Sequence, residues 1–102
     1  MIPVNIDINN FEAEVVNSDR PVLLDFWAPR CGHCRAIMPH LDAISGERSD
    51  IKVAKVNVDD YPELAGRFGI RSLPTLMVLR DGKIVNKSVG AKPKAAILSM
   101  LQ

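Results

Sequence analysis

The 102-residue chain has little cysteine, no excess of one charge sign and no long apolar run. Its two cysteines, Cys31 and Cys34, are too few for a disulfide framework. A bridge between them would close a tiny loop and constrain the unfolded chain little, which argues against a purely structural staple. The formal net charge is +1 and like charges form no run, which argues against a nucleic-acid partner. No apolar stretch approaches the roughly 20 residues of a membrane span, so no membrane partner is expected. The opening "MIPVNIDINN" has neither a basic segment nor a long apolar one. It does not read as a secretory signal, and a cytoplasmic location is expected. Repeats, low-complexity segments and linkers are missing too, so residues 1–102 are expected to form a single domain.

What remains is an alternation of short apolar runs with amphipathic segments, the pattern of an α/β fold. "PVNID" reads as a short strand. "NNFEAEVVN" reads as a helix capped by Asn9, with Glu12 three residues on and Phe11 and Val15 on one face. Residues 21–28, "PVLLDFWA", are apolar except for Asp25, as suits a central strand covered on both faces. From Gly32 to about Arg48 the spacing of Ile37, Leu41 and Ile44 predicts a long helix, kinked at Pro39. Residues 51–59 alternate and are rich in valine, a strand pattern. "YPELAGRFG" reads as a short helix, with Pro62 in its first turn. Residues 75–90 form a hairpin around Asp81-Gly82. The last twelve residues form a helix with Ile97, Met100 and Leu101 on one face. The order β-α-β-α-β-α-β-β-α implies a mixed sheet: three largely parallel strands, then an antiparallel pair.

Both cysteines lie in "DFWAPRCGHCR", where the buried strand gives way to the long helix. Unpaired N–H groups and the macrodipole at a helix start favour a thiolate. Cys31 is therefore the exposed, ionised thiol. Cys34, one turn further in on the same face, is the more buried and protonated one. That asymmetry suits exchange, in which Cys31 attacks a disulfide and Cys34 resolves the mixed disulfide. Zinc would need four ligands, and neither His33, between the cysteines, nor His40, six residues beyond Cys34, fits a known spacing. Haem attachment would need histidine directly after Cys34, where Arg35 stands. No metal and no bound cofactor are expected. Asp25 lies among Leu23, Leu24, Phe26 and Trp27. Burial there should raise its pKa and fit it to give and take a proton.

"VLLDFWAPRCGHCR", "VAKVNVDD", "FGIRSLPTLMVLRDGK" and the late Gly90 together resemble the thioredoxin family, in order and spacing, over essentially the whole chain. The resemblance implies the thioredoxin fold, a central five-stranded mixed β-sheet flanked by four α-helices. It implies a protein dithiol–disulfide oxidoreductase that acts on disulfide-containing protein substrates, is recycled by an NADPH-dependent reductase and works as a monomer. By the same resemblance Asp25 serves proton transfer at Cys34, with Lys55 as its charge partner. Pro74 is implied to be cis, and the backbone of Leu73 to pair with the substrate chain. Trp27, Gly32, Leu73, Gly90 and Ala91 are implied to line an apolar substrate surface.

Two residues depart from the family pattern. Arg30 stands where the family usually has tryptophan, and His33 where it has proline. Cys-Gly-His-Cys is instead the motif of protein disulfide isomerase domains. Both changes are expected to stabilise the thiolate and make the disulfide more oxidising. The expected potential lies between the two families, which differ by roughly 90 mV, about 4 kcal/mol. A reductase is the leading expectation, because Asp25, Lys55 and Leu73 match thioredoxin. An oxidase or isomerase of the same fold, or a non-catalytic binding module, is the alternative.

Overall fold

A computed structural model describes residues 2–102. Its elements are β1 (Val4–Asn5), a π-helical turn (Glu12–Val16), β2 (Val22–Trp27), α1 (Gly32–Glu47), β3 (Lys52–Asn57), α2 (Pro62–Arg67), β4 (Thr75–Arg80), β5 (Lys83–Val89) and α3 (Lys94–Ser99). The strands make one sheet in the order β1-β3-β2-β4-β5. β3 runs parallel to both β1 and β2, and β4 runs antiparallel to β2 and β5. This is the five-stranded mixed sheet with four helical segments that the sequence implied.

β2 is central, and its nearly unbroken apolar run follows from cover on both faces. Leu24 and Phe26 face a cluster that includes Phe11 beside the π-helical turn and Leu64 of α2. Leu23, on the other face, joins Val53, Leu76 and Val78 beneath Ile37, Leu41 and Ile44 of α1. α3 completes this layer with Ile97 and Met100. α1 passes through Pro39 without a break. The missing backbone donor is tolerated because Ile37 and Leu41, on either side, are fully packed.

The N-terminal segment departs from the sequence reading. Asn9 is not the cap. Asp7 Oδ1 accepts the backbone N–H groups of Asn9 (2.7 Å) and Asn10 (2.8 Å), and Asn10 Oδ1 accepts the N–H of Asp7 (2.8 Å). This local turn ends β1 early. The following helix is π rather than α, with the Asn17 N–H reaching the Glu12 carbonyl five residues back (2.9 Å).

The hairpin turn has positive φ at both central residues, 54° at Asp81 and 76° at Gly82. That is the mirror-type turn whose twist matches the flanking strands. At Gly82 a Cβ would lie 3.0 Å from the Val16 carbonyl oxygen, so strain and crowding both require glycine. Among the described residues, no helix is long and apolar enough to cross a membrane.

Candidate active site

β2 ends at Trp27, and α1 begins four residues beyond Ala28, so the loop between them lies over one end of the sheet. Cys31 is the N-cap of α1, with extended backbone (φ −94°, ψ 111°). Its Sγ accepts the backbone N–H of Cys34 at 3.1 Å. The sulfur thus occupies the place that a serine or aspartate oxygen takes at other helix starts. That same N–H, with the helix dipole behind it, favours negative charge on Cys31 once the bond is reduced. Cys31 and Cys34 are joined as a disulfide, with Cα atoms 5.2 Å apart. Cys31 is partly exposed and Cys34 is fully buried, the asymmetry expected of an attacking and a resolving thiol.

Asp25 is fully buried in β2. Side chains alternate along a strand, so Asp25 shares the face of Leu23, which packs under α1. Cys34, three residues before Ile37, is likewise a buried residue of α1, so the carboxyl and the Cys34 side chain lie on the same side of the sheet. Neither oxygen of Asp25 accepts a hydrogen bond from a described residue. Burial pushes its pKa from 3.8 up to about 7, against the opposing pull of the Lys55 charge. Lys55 is its cross-strand neighbour in register but makes no ion pair with it. The Lys55 Nζ lies 3.9 Å from Met38 Sδ and 5.7 Å from the centre of the Trp27 ring. Lys55 therefore acts on Asp25 by charge alone.

A cleft of about 460 Å³ opens beside Cys31. Gly32 and Leu73 line it, and the Leu73–Pro74 peptide bond next to it is cis. Gly90 is brought to this segment, with its N–H on the Pro74 carbonyl (2.9 Å) and a φ of 95°. Neither Gly90 nor Ala91 lines the cleft, and Ala91 is exposed. Trp27 stands apart. It faces a second cleft, about 280 Å³, with Lys55, Asn57 and Tyr61.

The charges around the dithiol differ from the simple expectation. Arg30 does not stand as an unopposed cation beside Cys31, because its Nη2 is held by Asp59 Oδ1 at 3.1 Å. His33 is exposed. Arg35, passed over in the sequence except as the residue that excludes haem attachment, folds back to donate to the Pro29 carbonyl (2.7 Å). Its guanidinium comes within 3.7 Å of where a Gly32 Cβ would be. Its spacing of four from Cys31 was the available signal. Asp59, Val58, Ala65, Ile70 and Arg71 were also missed. Val58 was legible from register, since its N–H continues the β3 ladder onto the Trp27 carbonyl (2.9 Å).

A disulfide at a helix start, a buried carboxyl with no hydrogen-bond partner among the described residues and a cis-proline segment thus lie at one end of the sheet. A sequence profile described as Thioredoxin matches residues 3–102. The chain belongs to the thioredoxin family. It is 52% identical over 93 residues to a thioredoxin of Porphyra purpurea, covering 90% of this chain and 87% of that protein. It is 48% identical to a thioredoxin of Streptomyces clavuligerus (92% of this chain, 88% of that one). It is 44% identical to a thioredoxin of Haemophilus influenzae (96% and 92%). The protein is accordingly a thioredoxin-type dithiol–disulfide oxidoreductase, of a family that acts on disulfide-containing substrates.

Proposed function

We propose that this thioredoxin reduces protein disulfides, with Cys31 as nucleophile and Cys34 as resolving thiol. The Cys31 thiolate attacks one sulfur of the substrate disulfide. That bond breaks, and the second substrate sulfur leaves as a thiolate. Cys34 passes its proton to Asp25 and attacks Cys31 Sγ. The mixed disulfide breaks, the first substrate sulfur leaves, and the Cys31–Cys34 bond forms. Two electrons pass to the substrate. Of the two protons it gains, one comes from Cys34 by way of Asp25. The other comes from solvent, where Cys31 released it on ionising.

One observation carries this reading: the Cys34 N–H on Cys31 Sγ, above a fully buried carboxyl whose pKa lies near 7. Lys55 is the charge partner that keeps Asp25 from rising further. Leu73, fixed next to Pro74, offers its backbone to the substrate chain. Gly32 lines the surface on which that chain lies, Gly90 and Ala91 extend it past Pro74, and Trp27, which faces the second cleft, packs beside Lys55 instead. Arg30 and His33 tune the thiolate. The Asp59 carboxylate on Arg30 weakens the oxidising push of that guanidinium and so supports the reductive direction. The protein works as one domain, residues 1–102, monomeric and cytoplasmic, without metal or bound cofactor. An NADPH-dependent reductase recycles it, and neither nucleic acid nor membrane is a partner.

His33, between the cysteines, supports a second reading, an oxidase or isomerase of the same fold. The reduction potential against glutathione separates the two. A value nearer about −270 mV than about −180 mV is expected, and one at or above the latter overturns the reductase reading. Cys31→Ser should abolish reduction of insulin disulfides. Reduction retained in that variant would overturn Cys31 as the nucleophile.

A further inference from the structure

The cleft beside Cys31 combines two chemistries. Its floor is apolar, built by Val58, Ala65, Ile70 and Leu73. Its rim carries Arg30, Arg71 and the imidazole of His33, and no carboxylate lines it. The whole chain is nearly balanced at +1, so this local excess of cations does not reflect a basic protein. Arg71 is exposed and makes no ion pair with a described residue. Arg30 is tied to Asp59 by one 3.1 Å contact, with the two side chains 66% and 45% exposed. Such a surface pair is weak, and its arginine can change partner at small cost.

A guanidinium is a planar fork of donors that matches a carboxylate. An apolar floor beneath such a fork asks for an apolar side chain next to an acidic one. We propose that this cleft selects protein disulfides whose cysteine is flanked by an apolar and an acidic residue. The apolar side chain sits on the floor. Arg71 takes the carboxylate, and Arg30 leaves Asp59 to share it. The proposal rests on the reading above, that Cys31 exchanges with protein disulfides. The floor argues for a protein segment over a small acidic thiol such as glutathione, which has no apolar side chain to place there. The cations also act before contact. They raise the encounter rate with an acidic segment, and salt weakens that gain.

The test uses the full chain, reduced with dithiothreitol, freed of it, and mixed with excess peptide disulfide in a single turnover. Three peptides share a leucine beside the cysteine and differ at one further position: Glu, Gln or Lys. The Glu peptide should react about fivefold or more faster than the Lys peptide at low salt. The ratio should shrink toward one in 0.5 M salt. Arg71→Gln should flatten the ratio and Arg71→Glu should invert it. Because each ratio is taken within one variant, a general loss of reactivity cancels. Equal rates for the Glu and Lys peptides, with the Gln peptide still reduced, would overturn this proposal and leave the reductase reading intact. A ratio indifferent to Arg71→Glu would overturn it as well. So would oxidised glutathione reacting faster than the Glu peptide. Failure to reduce any of the three peptides would overturn the reductase reading itself, and this proposal with it.

Discussion

Lys52 and Lys55 both belong to β3, three residues apart and on opposite faces of the sheet. Lys52 is nearly buried, and its Nζ donates to Glu14 Oε2 (2.8 Å) and to the Glu14 carbonyl (3.1 Å). That contact ties the π-helical turn to the sheet. Lys55 lies in register with Asp25, the more deeply buried carboxyl, and yet no hydrogen bond joins them. The difference separates a charge that holds the fold from the group that we propose moves a proton. A buried charge that only holds the fold is paired, because an unpaired one is costly. A carboxyl that must exchange a proton near neutral pH has to be left short of partners, so that burial lifts its pKa. Asp25 stands in that second condition, and the fold bears the cost.

Asp25→Asn should give the largest effect on stability, with a sign opposite to that of most buried-site changes. With a pKa near 7 in the folded state and 3.8 as its ordinary value, Asp25 holds a proton in the native protein that the unfolded chain releases. Stability is therefore lost as pH rises from about 4 to about 7. The shift amounts to about 4 kcal/mol at most. The variant should be more stable than the parent by about 2–4 kcal/mol at pH 8, with the gain gone at pH 4. Urea unfolding of the oxidised proteins at the two pH values reads this. The same variant should slow the resolving step by about tenfold or more at pH 7. Absence of a pH-dependent gain would mean that Asp25 has a partner after all.

Glu14→Gln probes the other member of the comparison. It leaves Lys52 buried without its counter-charge, though Glu14 is about a third exposed and water takes up part of the loss. A destabilisation of about 1–2 kcal/mol is expected, with disulfide exchange unaltered. If Glu14→Gln slowed exchange, the division between structural and working charges would fail.

Lys55→Met should produce a smaller change still. Lys55 touches no oxygen of Asp25 and only pulls its pKa down by charge. Its removal should move the Asp25 titration upward by up to about one unit, followed through the carboxyl ¹³C signal. A downward shift would contradict the assigned cause.

The fold was largely legible because its determinants are local in sequence. Alternation marked β3, the heptad-like spacing of Ile37, Leu41 and Ile44 marked α1, and Asp81-Gly82 marked the hairpin. Asp25 could be singled out for the same reason, as one charge inside an apolar run. The π-helical turn was not legible, because Asn9 is a good cap by residue type, whereas the Asp7 carboxylate closes a turn with Asn9 and Asn10 and the helical turn starts at Phe11 with no side-chain cap. Trp27 and Lys55 share a cleft away from the dithiol, and nothing in their spacing distinguishes that side. The charge on the active-site rim depends on contacts between residues far apart in the chain, as Arg30 and Asp59 show.

That last pair yields the smallest predicted effect and the most direct check on how Arg30 works. A sequence reader counts Arg30 as a full positive charge next to Cys31. In the structure its Nη2 donates to the Asp59 carboxylate at 3.1 Å, which offsets part of that charge. Asp59→Asn removes the counter-charge and leaves Arg30 to the thiolate. Both side chains are largely exposed, so folding stability should change by no more than about 0.5 kcal/mol. The reduced protein should then be alkylated about twofold faster by iodoacetamide at pH 6, where the thiolate fraction limits the rate. Added salt should erase most of that gain, since the interaction runs through solvent. An unchanged alkylation rate would show that Arg30 has no effect on Cys31 in either state. The cation that tunes the thiol would then be Arg35, whose guanidinium already lies over Gly32 at the start of α1.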